Sequence, residues 1–254
     1  QGMIARVLII AGSDSGGGAG IQADIKTVSA LGGHAMTAIT AITAQNTLGV
    51  QLVDVVSSGM VLAQIDSVIR DIGVDAIKIG MLGSKENAIV VAERLSGLAG
   101  HIPIVFDPVM VATSGTSLAD QETVEAFTRL MRIATLTTPN LPELEALGGQ
   151  GVALAHTQAL LVKGGHAEGS SVTDRLMIRD GDCFEWQDTR IDTPHTHGTG
   201  CTLASAIATG LAQGMTLPDS IARARAYVRA ALIAAPGLGQ GHGPMGFPVE
   251  PFHP

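Results

Sequence analysis

Short apolar runs of strand length, most of them separated by stretches of helical periodicity, recur along this 254-residue chain and confine it to one class of fold. Residues 6–11, 38–44, 51–56, 76–79, 104–106 and 135–138 read as strands, being apolar and of strand length. Residues 21–31, 60–70, 85–95, 123–131 and 141–147 carry apolar side chains at helical spacing and supply the crossovers. Strands joined by such crossovers pair in parallel, and a parallel sheet needs cover on both faces. Residues 160–162, 175–178 and 183–188 add strands, and further helices start at Thr199 and Pro218. The expected fold is α/β, a mostly parallel central sheet with helices on both faces, in a single domain over residues 3–254. Gln1-Gly2 ahead of Met3 reads as an added dipeptide, and the Gly/Pro-rich residues 236–254 read as either an ordered cover or a loose end.

Charge and composition exclude several function classes. Fifteen basic residues against 23 acidic ones give a net charge of −8, which argues against a nucleic-acid surface, and 3% aromatic content leaves little for base stacking. Any affinity for phosphate must therefore be local. The uncharged stretches 27–53 and 193–218 hold Gly, His, Gln or Thr throughout, so they read as buried strand and helix rather than membrane spans. No basic leader followed by an apolar core opens the chain, and a cytoplasmic protein is expected. Cys183 and Cys201 have neither metal-type spacing nor the look of a disulfide framework, which fits a reducing compartment.

Two glycine-rich turns carry the chemistry. His197-Gly198-Thr199-Gly200-Cys201-Thr202 runs into a small-residue helical stretch and suits an anion cradle: Thr199 and Thr202 can cap, the glycines admit a ligand to the backbone N–H groups, and the helix dipole favours negative charge. Cys201 lies where a thiol pKa is most easily lowered. A tight capping loop with Cys201 as a small apolar filler suits the same residues. The second cluster, residues 12–20, follows the first strand and precedes a helix. It lacks the Gly-Lys-Ser/Thr ending of a P-loop, and no acidic residue follows Gly18-Ala19-Gly20-Ile21-Gln22-Ala23 at the distance that would hold a dinucleotide ribose.

In open parallel sheets the ligand lies beyond the carboxyl ends of the strands, which gives weight to Asp107, Asn140, Glu143 and Lys163. Asp107 and Glu143 suit Mg²⁺, directly or through water, and Lys163 suits the charge of a transferring phosphate. Taken singly, each also fits a turn, a helix start or a strand end. His195 and His197 share a face if their segment is a strand, but two histidines without a third ligand do not make a transition-metal site.

Seven ordered segments, 11–24, 43–50, 78–82, 107–110, 138–143, 163–166 and 196–202, resemble the hydroxymethylpyrimidine/phosphomethylpyrimidine kinase family of thiamine biosynthesis. That resemblance implies a ribokinase-like three-layer sandwich and a partner set of ATP, Mg²⁺ and a small pyrimidine, with a homodimer as the common assembly. It implies phosphorylation of 4-amino-5-hydroxymethyl-2-methylpyrimidine and then of its monophosphate to the pyrophosphate in one site. By similarity Gly12, Asp24, Gln45, Met81 and Val109 line the pyrimidine site, and an amide at Gln45 offers both donor and acceptor to an aminopyrimidine edge. Asp107, Asn140, Glu143 and Lys163 would hold ATP and Mg²⁺, while Gly198, Thr199, Gly200 and Cys201 would stabilise the transferred phosphoryl group, with Cys201 as base or orienting group. The chain departs from the family in a shortened segment 144–162, where relatives have an extra helix, in threonines at Thr113 and Thr116, and in His195 where asparagine is common. A pyridoxal kinase, with the same phosphate machinery, and a metabolite-binding regulator that lost transfer are the alternatives.

Overall fold

A computed structural model describes residues 2–248. Its strands are β1 (Arg6–Ser13), β2 (His34–Asn46), β3 (Gly49–Val55), β4 (Ala76–Ile79), β5 (Ile104–Phe106), β6 (Leu136–Thr137), β7 (Ala159–Val162), β8 (Ser171–Ile178) and β9 (Cys183–Thr189). The helices are α1 (Gly20–Ala30), α2 (Ser58–Asp71), α3 (Lys85–Leu95), α4 (Gln121–Ile133), α5 (Leu141–Ala146), α6 (Gln150–His156), α7 (Thr199–Ala212) and α8 (Leu217–Ile233). All the strands join one sheet in the order β3-β2-β1-β4-β5-β6-β7-β8-β9. The pairs from β2 to β7 are parallel, while β3, β8 and β9 are attached antiparallel at the two ends.

Strand alternation explains the layers. In β1, Leu8 and Ile10 face the apolar cluster that includes Val61 and Ile65 of α2, Val91 of α3 and Phe127 of α4. Val7, Ile9 and Ala11 face the opposite cluster, which takes Val28 of α1, Ile207 of α7 and Ile221 of α8. Successive side chains of a strand point to opposite faces, so one apolar run supplies both cores. Phe106 and Phe127 meet edge to face, with centroids 5.1 Å apart, and pin α4 to the centre of the sheet.

Three sequence expectations need correction. Residues 49–55 form an exposed edge strand rather than a buried one, because they pair antiparallel with β2 and have no helix over them. The 144–162 segment keeps a helix: α5 and the two-turn α6 together make the crossover to β7, with Ala153 buried against the core. Residues 194–197 form an irregular loop, so His195 and His197 do not share a strand face. Of the tail, residues 236–248 are described and pack across the loop at Thr47, where Gly241 N donates to Thr47 Oγ1 at 3.2 Å and His242 N to Thr47 O at 3.0 Å. Residues 249–254 of the expected domain and tail lie outside the described residues.

Candidate active site

The carboxyl ends of the parallel strands open into a cavity of about 860 Å³. Its lining follows the sheet: Gly12 and Gln45 near the ends of β1 and β2, Met81 after β4, Asp107 and Val109 after β5, Glu143 after β6, and Lys163 after β7. Neighbouring strands lie about 4.8 Å apart, so a cleft crossing from β1 to β7 extends roughly 20 Å, room for a small ring beside a nucleoside triphosphate. A shallower hollow of about 520 Å³ on α8, lined by Arg225 and Arg229 among others, holds none of these groups.

The positive end of α7 points into the cavity because the helix packs across β1, β4 and β5. Its N-cap is Gly198, not a threonine: the residue sits at φ +89°, and no side chain caps the helix. A Cβ at Gly198 would lie 1.9 Å from the Gly18 carbonyl oxygen, so only glycine lets the two glycine-rich turns meet. Thr199 N donates to Thr196 O at 3.3 Å, and Thr202 is buried with an unpartnered hydroxyl, which corrects the expectation that these residues cap. The first-turn N–H groups of Gly200 and Cys201 have no carbonyl one turn back within the helix, the usual state of a helix start and the basis of an anion site.

Asp14 shapes the other turn. Its buried carboxylate accepts from the N–H groups of Gly16 (2.8 Å), Gly18 (3.0 Å) and Ala19 (2.8 Å), and lies 2.9 Å from His197 Nε2. Burial works to raise the Asp14 pKa, but His197 and the backbone donors outweigh it and hold the carboxyl below its usual range. The other ring nitrogen of His197 lies 3.5 Å from Thr113 Oγ1, so both are engaged with protein groups.

At the middle of the cleft Lys163, Asp107 and Gly200 converge. Lys163 Nζ donates to Asp107 Oδ1 at 3.1 Å, and Thr138 Oγ1 donates to the same oxygen at 3.1 Å. A Cβ on Gly200 would lie 3.3 Å from Lys163 Nζ and 3.5 Å from Asp107 Oδ2. Burial works against the Lys163 ammonium, but Asp107 and Glu143 hold its pKa above the ordinary value. Asn140 and Glu143 form a reciprocal capping box on α5, with Asn140 Oδ1 accepting from Glu143 N at 2.8 Å and Glu143 Oε1 from Asn140 N at 2.9 Å. Burial pushes the Glu143 carboxyl up to about 7, against the pull of Lys163 and with the help of Asp107.

At the other end Met81 lies over Gly12, where an added Cβ would meet its Sδ at 3.0 Å. Gln45 is half-buried, its Oε1 accepting from Thr43 Oγ1 at 3.2 Å. Asp24 stands apart from this group: it is fully buried, outside the cavity lining, and bonded to Lys78 Nζ at 2.9 Å and 3.1 Å. Cys201 departs from its expected state as well. Burial pushes its thiol up to about 11; Lys78 opposes the rise, while Asp24 and Asp107 add to it. The helix start does not make a thiolate here, because desolvation, with Asp24 and Asp107, exceeds what Lys78 and the Gly20 N–H return.

A sequence model of the phosphomethylpyrimidine kinase family matches residues 14–246. The chain belongs to that family. A hydroxymethylpyrimidine/phosphomethylpyrimidine kinase of Rhizobium meliloti strain 1021 is 46% identical over 269 aligned positions, covering 99% of this chain and 98% of the relative. One from Streptomyces coelicolor is 46% identical over 254 positions, covering 94% and 93%. Among solved structures, the ADP complex of Bacillus subtilis pyridoxal kinase superposes with a TM-score of 0.86 at 31% identity, covering 96% of this chain and 98% of that one. The phosphomethylpyrimidine kinase of Clostridium difficile 630 superposes at 0.78 with 36% identity, covering 89% and 99%. Family membership makes the chain a phosphotransferase on a ribokinase-like α/β scaffold.

Sequence reading of this phosphomethylpyrimidine kinase family member passed over Asp14 and Lys78 as functional groups. An acidic residue opening a glycine run is a recognisable signal for a turn whose amides need an acceptor. A lysine inside an apolar strand, buried only by virtue of a partner on a distant helix, offers no local signal.

Proposed function

We propose that this chain transfers the γ-phosphoryl group of ATP to 4-amino-5-hydroxymethyl-2-methylpyrimidine and then to the resulting monophosphate, in one site, for thiamine biosynthesis. The observation that carries this reading is the convergence of the α7 N-terminus, Lys163 and Asp107 at the middle of a cleft whose far end presents Gln45 under a cover of small and apolar side chains. The ring would lie among Gly12, Gln45, Met81 and Val109, with the Gln45 amide matching the alternating donor and acceptor of an aminopyrimidine. Asp24 supports that site from behind rather than lining it.

In the first transfer the hydroxymethyl oxygen forms a bond to the γ-phosphorus, the bond to the β–γ bridging oxygen breaks, and ADP leaves. The hydroxyl proton must go elsewhere. Cys201, a thiol at rest, orients that hydroxyl; it accepts the hydroxyl proton only as the thiolate, after its own proton has been lost to solvent. In the second transfer the acceptor oxygen belongs to an ionised phosphate, so no base is required. The N–H groups of Gly200 and Cys201 face the transferring group, with Thr199 held in the same first turn, and Lys163 neutralises its charge.

The donor set fits magnesium. Among the described residues, no group of three or more His, Cys, Asp or Glu side chains is arranged to cage a metal. Asp107 and Glu143 do supply oxygen, and Mg²⁺ typically takes one or two carboxylates with the rest of its shell from phosphates and water. Asp107 and Glu143 would hold the ion, with Asn140 fixing Glu143 through the capping box, and the ion would supply charge neutralisation for the triphosphate. No described helix is long and apolar enough to cross a membrane. We place the chain, as one domain, in the cytoplasm where ATP is held. Its exposed edge, with Ile42 on β2 and Leu52, Val53 and Val55 on β3, suits a homodimer contact. Sedimentation of Leu52→Glu against the unaltered chain tests that: the variant should sediment as a monomer.

The superposition on pyridoxal kinases favours a second reading, phosphorylation of pyridoxal in the same cleft. A magnesium-dependent ATP assay offering hydroxymethylpyrimidine, its monophosphate and pyridoxal separately, with products resolved by phosphate content, distinguishes the two. Turnover of both pyrimidines is the expected result; turnover of pyridoxal alone overturns the assignment, and pyrimidine binding without turnover favours a regulator.

A further inference from the structure

Lys78 is the largest fully buried side chain near the cleft, and nothing in the mechanism above uses it. It rises from β4, inside an otherwise apolar strand, and reaches the cavity lining. Two of its N–H groups go to Asp24, at 2.9 Å and 3.1 Å, and no third protein acceptor bonds it among the described residues. Asp24 Oδ1 also accepts from Ser205 Oγ, and Ser205 is one helical turn beyond Cys201 and lies 2.8 Å from the Cys201 carbonyl oxygen. The pair thus ties α1, which follows the first glycine turn, to β4 and to the start of α7.

A buried ion pair is a poor way to gain stability, since an apolar pair of the same shape commonly does as well. An ammonium has three donors, and here one has no protein acceptor; the side chain is 0% exposed, so a ligand must open the cavity wall to reach it. Gly80 keeps the space open: a Cβ there would lie 2.9 Å from Lys78 Nζ. Burial works against the ammonium, but Asp24 and Asp107 hold Lys78 charged, above its ordinary pKa. Lys163 faces the cleft from β7; Lys78 faces it from β4, on the side of Met81 and Gly12. The cleft therefore has a cation on its acceptor side as well as on its donor side.

We propose that Lys78, held by Asp24, is a specificity-determining residue for the second phosphorylation, donating its remaining N–H to the phosphate of the monophosphate acceptor. The inference rests on the two-step reading given above. A neutral alcohol gains little from a fixed cation, whereas an acceptor phosphate brought beside the triphosphate must have its charge offset. Lys78 offsets it from the acceptor side. In the second transfer an oxygen of that phosphate bonds to the γ-phosphorus, the β–γ bridge opens, ADP leaves, and no proton changes hands.

The test is Lys78→Met together with the double variant Lys78→Met/Asp24→Asn, which removes both charges and leaves no lone carboxylate buried if the single variant does not fold. Each is compared with the unaltered chain in kcat/KM for the alcohol and the monophosphate, and in calorimetric binding of the monophosphate without ATP. The expected result is a loss in kcat/KM for the monophosphate at least about tenfold greater than for the alcohol, with weakened monophosphate binding. Equal losses for the two acceptors, or a greater loss for the alcohol, would reduce Lys78 to a structural role and overturn the inference while leaving the two-step reading intact. An unaltered chain that phosphorylates neither pyrimidine overturns that reading itself.

Discussion

Replacing Gly198 by alanine strikes the closest approach in the site. The backbone there is at φ +89°, a conformation that costs a side-chain-bearing residue roughly 1–2 kcal/mol. The new Cβ would also lie 1.9 Å from the Gly18 carbonyl oxygen, a backbone atom that cannot rotate away. The two turns would have to separate by about 1 Å or more before carbon and oxygen reach tolerable contact. A shift of about 1 Å at a reacting centre costs on the order of 10²-fold in rate, and loss of one aligned N–H donor costs about 10²–10³-fold. Gly198→Ala should therefore lower kcat by about 10²-fold or more for both acceptors. The accompanying stability loss of about 2 kcal/mol would lower Tm by roughly 4–8 °C in a chain of this size. Gly214→Ala is the control: it has φ +84°, yet no heavy atom lies within 4 Å of the added Cβ. It should lose comparable backbone stability and keep its kcat. Steady-state kinetics well below Tm read the difference. Retention of kcat within about threefold in Gly198→Ala, or an equal loss in Gly214→Ala, would refute the argument that the contact between turns aligns the cradle.

The raised thiol pKa makes the reactivity of Cys201 steeply pH-dependent. In a Cys183→Ser background, alkylation should accelerate with pH toward about 11, and a plateau reached below pH 9 would contradict the burial argument. Cys201→Ala should slow phosphorylation of the alcohol by about 10²-fold or more while the monophosphate, whose acceptor oxygen is already ionised, loses less than about tenfold; equal losses in single-turnover rates would count against a proton-handling role. Lys163→Met, acting on the donor phosphates, should instead reduce both transfers by a similar factor of about 10²–10³, and a loss confined to one acceptor would show that Lys163 does not serve the ATP side.

Much of the architecture was legible because its signals are local. The apolar runs at 6–11, 76–79 and 104–106 coincide with strands, and Asn140 with Glu143 announces the capped helix α5. The motif residues after the strands converge because a parallel sheet puts all its carboxyl ends on one side. What escaped depends on tertiary environment. The exposure of β3 follows from its place at the sheet edge, which its apolar sequence does not reveal. Gly198 as N-cap, rather than Thr199 or Thr202, follows from its left-handed backbone and its contact with Gly18, 180 residues away in the chain. Cys201 looked poised for ionisation from its place at a helix start, but that reading took no account of burial or of Asp24 and Asp107 nearby. Resemblance puts Asp24 in the acceptor site, yet it is its partner Lys78, in sequence only a member of the 78–82 motif, that reaches the cavity.

The central claim is that one cleft phosphorylates the pyrimidine twice, and cross-inhibition between its two acceptors tests that most directly. With saturating ATP and Mg²⁺, initial rates of pyrophosphate formation from the monophosphate would be measured at increasing concentrations of the alcohol. One site predicts competitive inhibition, with an inhibition constant equal to the alcohol's own KM when chemistry is slow relative to its dissociation. Simultaneous turnover of both acceptors without mutual competition would contradict the account and require a second acceptor site.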